Sequence, residues 1–88
     1  MIERLITISN RAGIHARPAA VIVQAAKDFS SNIFLEKGND RINAKSIMGI
    51  LTLGAAYGME LKIIADGDDD EQAVETIAHL FDAKFEEE

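Results

Sequence analysis

The sequence predicts an α+β fold, an open-faced two-layer sandwich with three helices over one face of a small sheet. Three observations predict it. Apolar residues recur with strand and helix periods in the order strand, helix, strand, strand, helix, strand, helix, or βαββαβα. A short turn separates the two adjacent strands, so they read as a hairpin and give the sheet an antiparallel component. The length, 88 residues with 48% apolar side chains, suits one compact core and a single domain over residues 1–88. The pattern alone leaves the strand order open.

Residues 2–9, "IERLITIS", open as a strand, with Ile6 and Ile8 on one face and Arg4 and Asn10 framing it. "NRAG" breaks the alternation. Over residues 18–29 the period changes. Ile22, Ala25, Ala26 and Phe29 fall at i, i+3, i+4 and i+7, one face of a helix. Pro18 suits the first turn, where a missing N–H costs nothing. "SNIFLE" is the second strand, with Ile33 and Leu35 on one face. "KGND" turns the chain, and residues 41–43 return as the third.

Ser46 reads as the N-cap of a short apolar helix, "IMGILTL". Gly54 and Gly58 bracket an irregular piece. "MELKIIAD" alternates again, with Leu61, Ile63 and Ala65 on one face. "GDDDE" supplies a turn and then acidic residues where a helix macrodipole favours them. Val74, Ile77, Ala78, Phe81 and Phe85 continue as an amphipathic helix. The acidic end, residues 86–88, is expected to be solvated.

Bulk properties exclude several classes. A net charge of −6 argues against non-specific nucleic-acid binding. Without cysteine, neither a disulfide framework nor a thiolate metal site is available. No leader pattern opens the chain, and no apolar run approaches the ~20 residues that span a bilayer. The expectation is a soluble cytoplasmic protein with no membrane insertion. No metal-ligand cluster and no glycine-rich phosphate loop stands out, so no metal and no cofactor is expected. Asp66 to Glu71 lack the spacing of a calcium hand. His79, in the last helix, reads as a surface or boundary residue.

"GIHARPAA" carries the chemistry. His15 stands one residue from Arg17, just ahead of Pro18, where a helix begins. Two placements compete: His15 as N-cap with Pro18 inside the first turn, or Pro18 as the first helical residue. Either puts His15 at the positive end of a helix, beside backbone N–H groups of Ala16 and its neighbours that attract anions. Arg17 adds a permanent charge in a planar fork suited to phosphate oxygens. A cation and a helix N-terminus both favour the neutral imidazole, the form that acts as a nucleophile. Ala16, Arg17 and Pro18 thus frame an anion site, and His15 suits a phosphoryl acceptor. Most histidine–arginine pairs in loops are solvated surface residues, so the spacing permits this chemistry without establishing it.

Ser46 has two readings: a plain N-cap, and a cap that is also a phosphorylation site, since added negative charge is tolerated at a helix start. The run Ile47, Met48, Ile50, Leu51 is more than one face of so short a helix can bury. Exposed members, with Ile47, Met48 and Leu51 the candidates, would form an apolar docking surface.

These residues resemble a known family. "GIHARPAA" is similar to the active-site motif, and "AKSIMGILTLG" to the regulatory-serine motif, of HPr, the histidine-containing phosphocarriers of the phosphoenolpyruvate-dependent sugar phosphotransferase system. The resemblance covers essentially the whole chain. It implies four antiparallel strands with three helices on one side. It implies that His15 takes a phosphoryl group on Nδ1 from phosphorylated Enzyme I and passes it to sugar-specific IIA proteins, with Arg17 neutralising charge. Ser46 would match the serine modified by HPr kinase/phosphorylase, a change that promotes binding to a catabolite-control transcription factor. A monomeric carrier rather than an autonomous enzyme is expected. Two other classes remain open: a regulatory protein that keeps Ser46 but feeds no permease, and an anion-binding domain without phosphoryl chemistry.

Overall fold

The computed structural model describes residues 1–86. Its elements are β1 (Ile2–Thr7), α1 (Ala16–Ala26), β2 (Asn32–Lys37), β3 (Asp40–Asn43), α2 (Ile47–Thr52), β4 (Glu60–Asp66) and α3 (Asp70–Asp82). The order is the expected βαββαβα. The sheet runs β1-β4-β2-β3 with every pair antiparallel. The β2–β3 hairpin closes locally, whereas β4 inserts between β1 and β2, a non-local choice that the hydropathy pattern does not encode.

Register puts the apolar set on one face. Ile6 pairs with Leu61, Ile33 with Ala65, and Leu35 with both Ile63 and Ile42. Over that face lie Ile22, Val23 and Ala26 of α1, Ile50 of α2, and Val74, Ile77, Ala78 and Phe81 of α3, all in one cluster. The central strand is apolar on its other face too. Ile64, outside the expected alternation, is only 1% exposed and lies apart from that cluster. Its cross-strand neighbours are Glu3 and Phe34. Charged side chains roof this face: Lys62 meets Glu3 at 3.5 Å and Glu36 at 3.8 Å. Arg41 meets Glu36 at 3.1 Å and lies 5.5 Å from the Phe34 ring centroid. Their aliphatic stems let a charged face shield an apolar residue.

Two helix ends differ from the sequence reading. α1 stops at Ala26, three residues before Phe29. The amides of Asp28 and Phe29 bond back only three residues, to Ala25 and Ala26, at 3.2 Å each, so the last turn tightens. Phe29 still packs against the core. α3 stops at Asp82, so Phe85 is not helical. It lies in a short turn, Lys84–Glu86, whose three residues have φ of 56°, 54° and 59°. The turn folds Phe85 onto Phe81, ring centroids 5.0 Å apart and edge-on. The spacing found the right partner on the wrong backbone. Glu87 and Glu88, from the expected solvated end, lie outside the described residues.

The start of α3 is tied to the α1–β2 turn. The Asp69 carboxylate accepts the amides of Ser30 and Ser31, at 2.9 and 3.0 Å, and the Ser31 hydroxyl. The Ser31 hydroxyl first, and the Ser30 amide next, lower its pKa from 3.8 to about 2. A Cβ on Gly67 would lie 2.7 Å from the Ser31 Cα, so only glycine allows this approach.

Candidate functional site

The site begins where β1 ends. Beyond Thr7, Ile8 continues the pairing through its backbone: its amide reaches Met59, and Gly58 bonds back to it. A tight turn follows. The Gly13 amide donates to the Asn10 carbonyl at 3.1 Å, and the buried Asn10 Nδ2 donates to the Gly13 carbonyl at 2.7 Å. Gly13 has φ of 71°, and a Cβ there would lie 2.9 Å from the Ala55 carbonyl oxygen. Ile14 is buried, and its amide donates to the same oxygen at 3.1 Å. The residue just before His15 is therefore fixed to the segment after α2.

His15 is the N-cap of α1, so the first of the two placements is the observed one. Its backbone is extended, its carbonyl takes the first helical bond from Ala19 at 3.0 Å, and its side chain makes no capping bond. Ala16, Arg17 and Pro18 form the first turn, which holds no acidic residue. Pro18 has no N–H to offer and is buried, so it contributes position while Ala16 and Arg17 contribute amides. His15 and Arg17 are exposed. The ring is thus presented to solvent at the positive end of an 11-residue helix, with a guanidinium in the same turn.

Ser46 caps α2: its Oγ accepts the Gly49 amide at 3.0 Å. Of the apolar run, Ile50 is buried, while Ile47, Met48 and Leu51 are 42%, 70% and 37% exposed. The three docking candidates therefore form an open patch. Tyr57 and Met59 add exposed apolar surface in the loop that packs on Gly13.

The two helix starts are not neighbours. The Lys45 Nζ donates to the Phe29 carbonyl, just past the end of α1, at 2.8 Å. The segment after α2 meets Ile14, just before the start of α1. So α2 runs back along α1, and Ser46 sits near the end of α1 opposite His15. Eleven residues of helix make that about 16 Å. A charge at Ser46 would therefore sit one helix length away from the His15 ring.

Sequence reasoning missed the lock on the loop before His15. Asn10 read as the end of a strand, and Gly13 as a pattern breaker. "NxxG" between a strand and a helix was the available signal for a closed turn. His79 is exposed, and its carbonyl accepts the Ala83 amide at the end of α3. Among the described residues no group of three or more His, Asp or Glu side chains is placed to hold a metal ion. No described helix is long and apolar enough to cross a membrane.

An open-faced βαββαβα sandwich with a histidine exposed at the start of its first helix is the architecture of the histidine phosphocarriers. A family model described as "PTS HPr component phosphorylation site" matches residues 2–83. The chain belongs to the HPr family: it is a phosphocarrier of the phosphotransferase system, not itself an enzyme. The phosphocarrier protein HPr of Treponema pallidum (strain Nichols) is 49% identical over 88 residues, covering 100% of both chains. The HPr-like protein Crh of Bacillus subtilis (strain 168) is 42% identical over 78 residues, 89% of this chain and 92% of its own. The crystal structure of HPr-C-His from Thermoanaerobacter tengcongensis matches at a TM-score of 0.96 and 51% identity, covering 100% of this chain and 99% of that one.

Proposed function

We propose that His15 is the phosphoryl acceptor, loaded by phosphorylated Enzyme I and discharged to sugar-specific IIA proteins. An unprotonated ring nitrogen attacks the phosphorus. A P–N bond forms as the bond to the donor breaks, and the reverse exchange delivers the group onward. Arg17 and the amides of Ala16 and Arg17 stabilise charge on the phosphoryl oxygens, and Pro18 sets where the helix begins. Ile47, Met48 and Leu51 form the docking face. The observation that carries this reading is His15 itself, exposed at the N-cap and not spent on capping its own helix. The protein acts in the cytoplasm as a monomer and as one domain, without cofactor, metal or nucleic acid.

The test uses phosphoenolpyruvate and Enzyme I. Wild type acquires a phosphoryl group that acid releases, and His15→Ala acquires none. A wild-type protein that takes no label overturns the reading.

A second role is regulatory. Ser46 is half-buried at a helix start, where a phosphate's negative charge is tolerated. An HPr kinase/phosphorylase would produce acid-stable phosphoserine there and so direct the protein to a catabolite-control transcription factor. Relatives of both the HPr and the Crh kind support weighing this role beside the carrier. The presence of His15 favours the carrier as the primary one.

A further inference from the structure

We propose that Lys45 is a positioning residue for phosphoryl transfer: it pins the start of α2 to the end of α1 and so sets the Ile47/Met48/Leu51 face relative to His15. The inference rests on reading that face as the docking surface.

Helix α2 cannot place itself. It has six residues, too few to be stable alone, and Ile50 is its only buried one. Its position depends on what holds its ends. At the far end, Ala55 is bonded to Ile14 at 3.1 Å. At the near end, the Lys45 amide donates to Asn43 Oδ1 at 2.8 Å and the Ser46 amide to the Asn43 carbonyl at 3.0 Å. Those bonds fix the chain to the end of β3. They do not fix it to α1. The hydrogen bond that reaches from this end to the turn closing α1 is Lys45 Nζ to the Phe29 carbonyl, at 2.8 Å and partly buried, and it adds a directional tie to the packing of α2 on α1.

The chemistry suits a lock. Phe29 closes the tightened turn that follows α1, so its carbonyl lies just beyond the negative end of the helix, on the side where a cation is favoured by the dipole. A charged donor makes this bond stronger than a neutral one. In an acidic chain, this ammonium is used on a main-chain carbonyl, in a place that only the packing of α2 on α1 explains. With both ends tied, the docking face and His15 move as one body. With the Lys45 side chain cut, the start of α2 keeps its Asn43 bonds to β3 and loses its polar tie toward α1, so its exposed face is held less firmly relative to His15.

Lys45→Met keeps the aliphatic stem and removes the donor, whereas Lys45→Arg keeps both charge and donor. In transfer from phosphorylated Enzyme I, Lys45→Met should raise KM about fivefold with kcat within about twofold, and Lys45→Arg should restore most of it. Amide exchange at Gly49 and Ile50 should quicken in Lys45→Met while that at Ile14 stays at the wild-type rate. Lys45→Leu, which lacks both the charge and the donor, repeats the measurement if Lys45→Met is poorly folded.

A wild-type KM in both uncharged variants overturns the proposal. So does a raised KM with unchanged exchange and a flattened salt dependence, the signature of a lysine that touches the partner directly. Met48→Asp separates the layers. If it leaves KM unchanged, the docking reading falls and takes this one with it. If it raises KM while Lys45→Met does not, only the positioning role falls.

Discussion

The starts of α1 and α2 share a backbone and differ in what their side chains do. His15 and Ser46 are both extended N-caps, with φ of −94° and −120°. Ser46 spends its oxygen on the Gly49 amide, whereas His15 leaves its helix uncapped. The loop before His15 is locked through Asn10 and Gly13, so an exposed ring stands on a rigid base. The start of α2 is held by Asn43 and Lys45, and its apolar side chains face solvent. One position in a helix therefore serves two ends: the proposed acceptor is kept out of the cap, and the proposed modification site is the cap itself. The start of α3 offers a third use, since Asp69 sends its carboxylate to another segment altogether.

The largest effect belongs to the side chain that does not cap. His15→Ala should cut transfer from phosphorylated Enzyme I by about a thousandfold or more, while α1 keeps its start because the side chain does not cap it. A variant that is labelled at the wild-type rate would place the acceptor elsewhere. Next is the base beneath it. Gly13→Val forces a β-branched residue to φ of 71° and drives its Cβ toward the Ala55 oxygen. The cost should be about 2–4 kcal/mol in urea unfolding. Wild-type stability in this variant would mean that the loop is softer than the contact with Ala55 implies.

Much of this was legible in the sequence, and the reasons are local. Ile6, Ile33, Leu35, Leu61 and Ile63 are buried where the alternation put them, and Ser46 caps where the apolar run began. His15 and Arg17 fell at a helix start because proline, an apolar period and a broken strand all agree there. What the sequence did not carry is non-local. That β4 sits in the middle of the sheet depends on competition among strands, and with it goes the burial of Ile64 on the second face. The clamp of Asp69 on Ser30 and Ser31 spans nearly 40 residues, and its acidic run read as a turn and helix start. Phe29 and Phe85 kept helical spacing after the helices had ended, because burial selects the side chain and not its backbone.

The third helix start is tested by pH. With a folded pKa of about 2 against 3.8, Asp69 binds fewer protons in the folded state, so its contribution is complete above about pH 4. It is lost as the pH falls through the folded value. Asp69→Asn should therefore have a lower urea midpoint than wild type at pH 7, and the gap should close between pH 4 and 2. A gap that persists unchanged to pH 2 would assign the loss to packing rather than to the charge.

Ser46 gives the smallest effect on stability and the sharpest test of the comparison. Ser46→Ala removes the cap and should cost about 1 kcal/mol, with transfer from Enzyme I near the wild-type rate. Ser46→Asp keeps an acceptor for the Gly49 amide and places a negative charge at the positive end of α2, so the folded state should be about as stable as wild type. Its transfer should nevertheless fall by about tenfold. Because Ser46 lies at the opposite end of the helix pair from His15, that charge acts on the approaching partner and not on the ring. The loss should appear in KM, shrink with added salt, and leave kcat unchanged. If Ser46→Asp lowers kcat at saturating partner, the charge reaches His15 through the fold, and the two helix starts are not the independent devices their geometry describes.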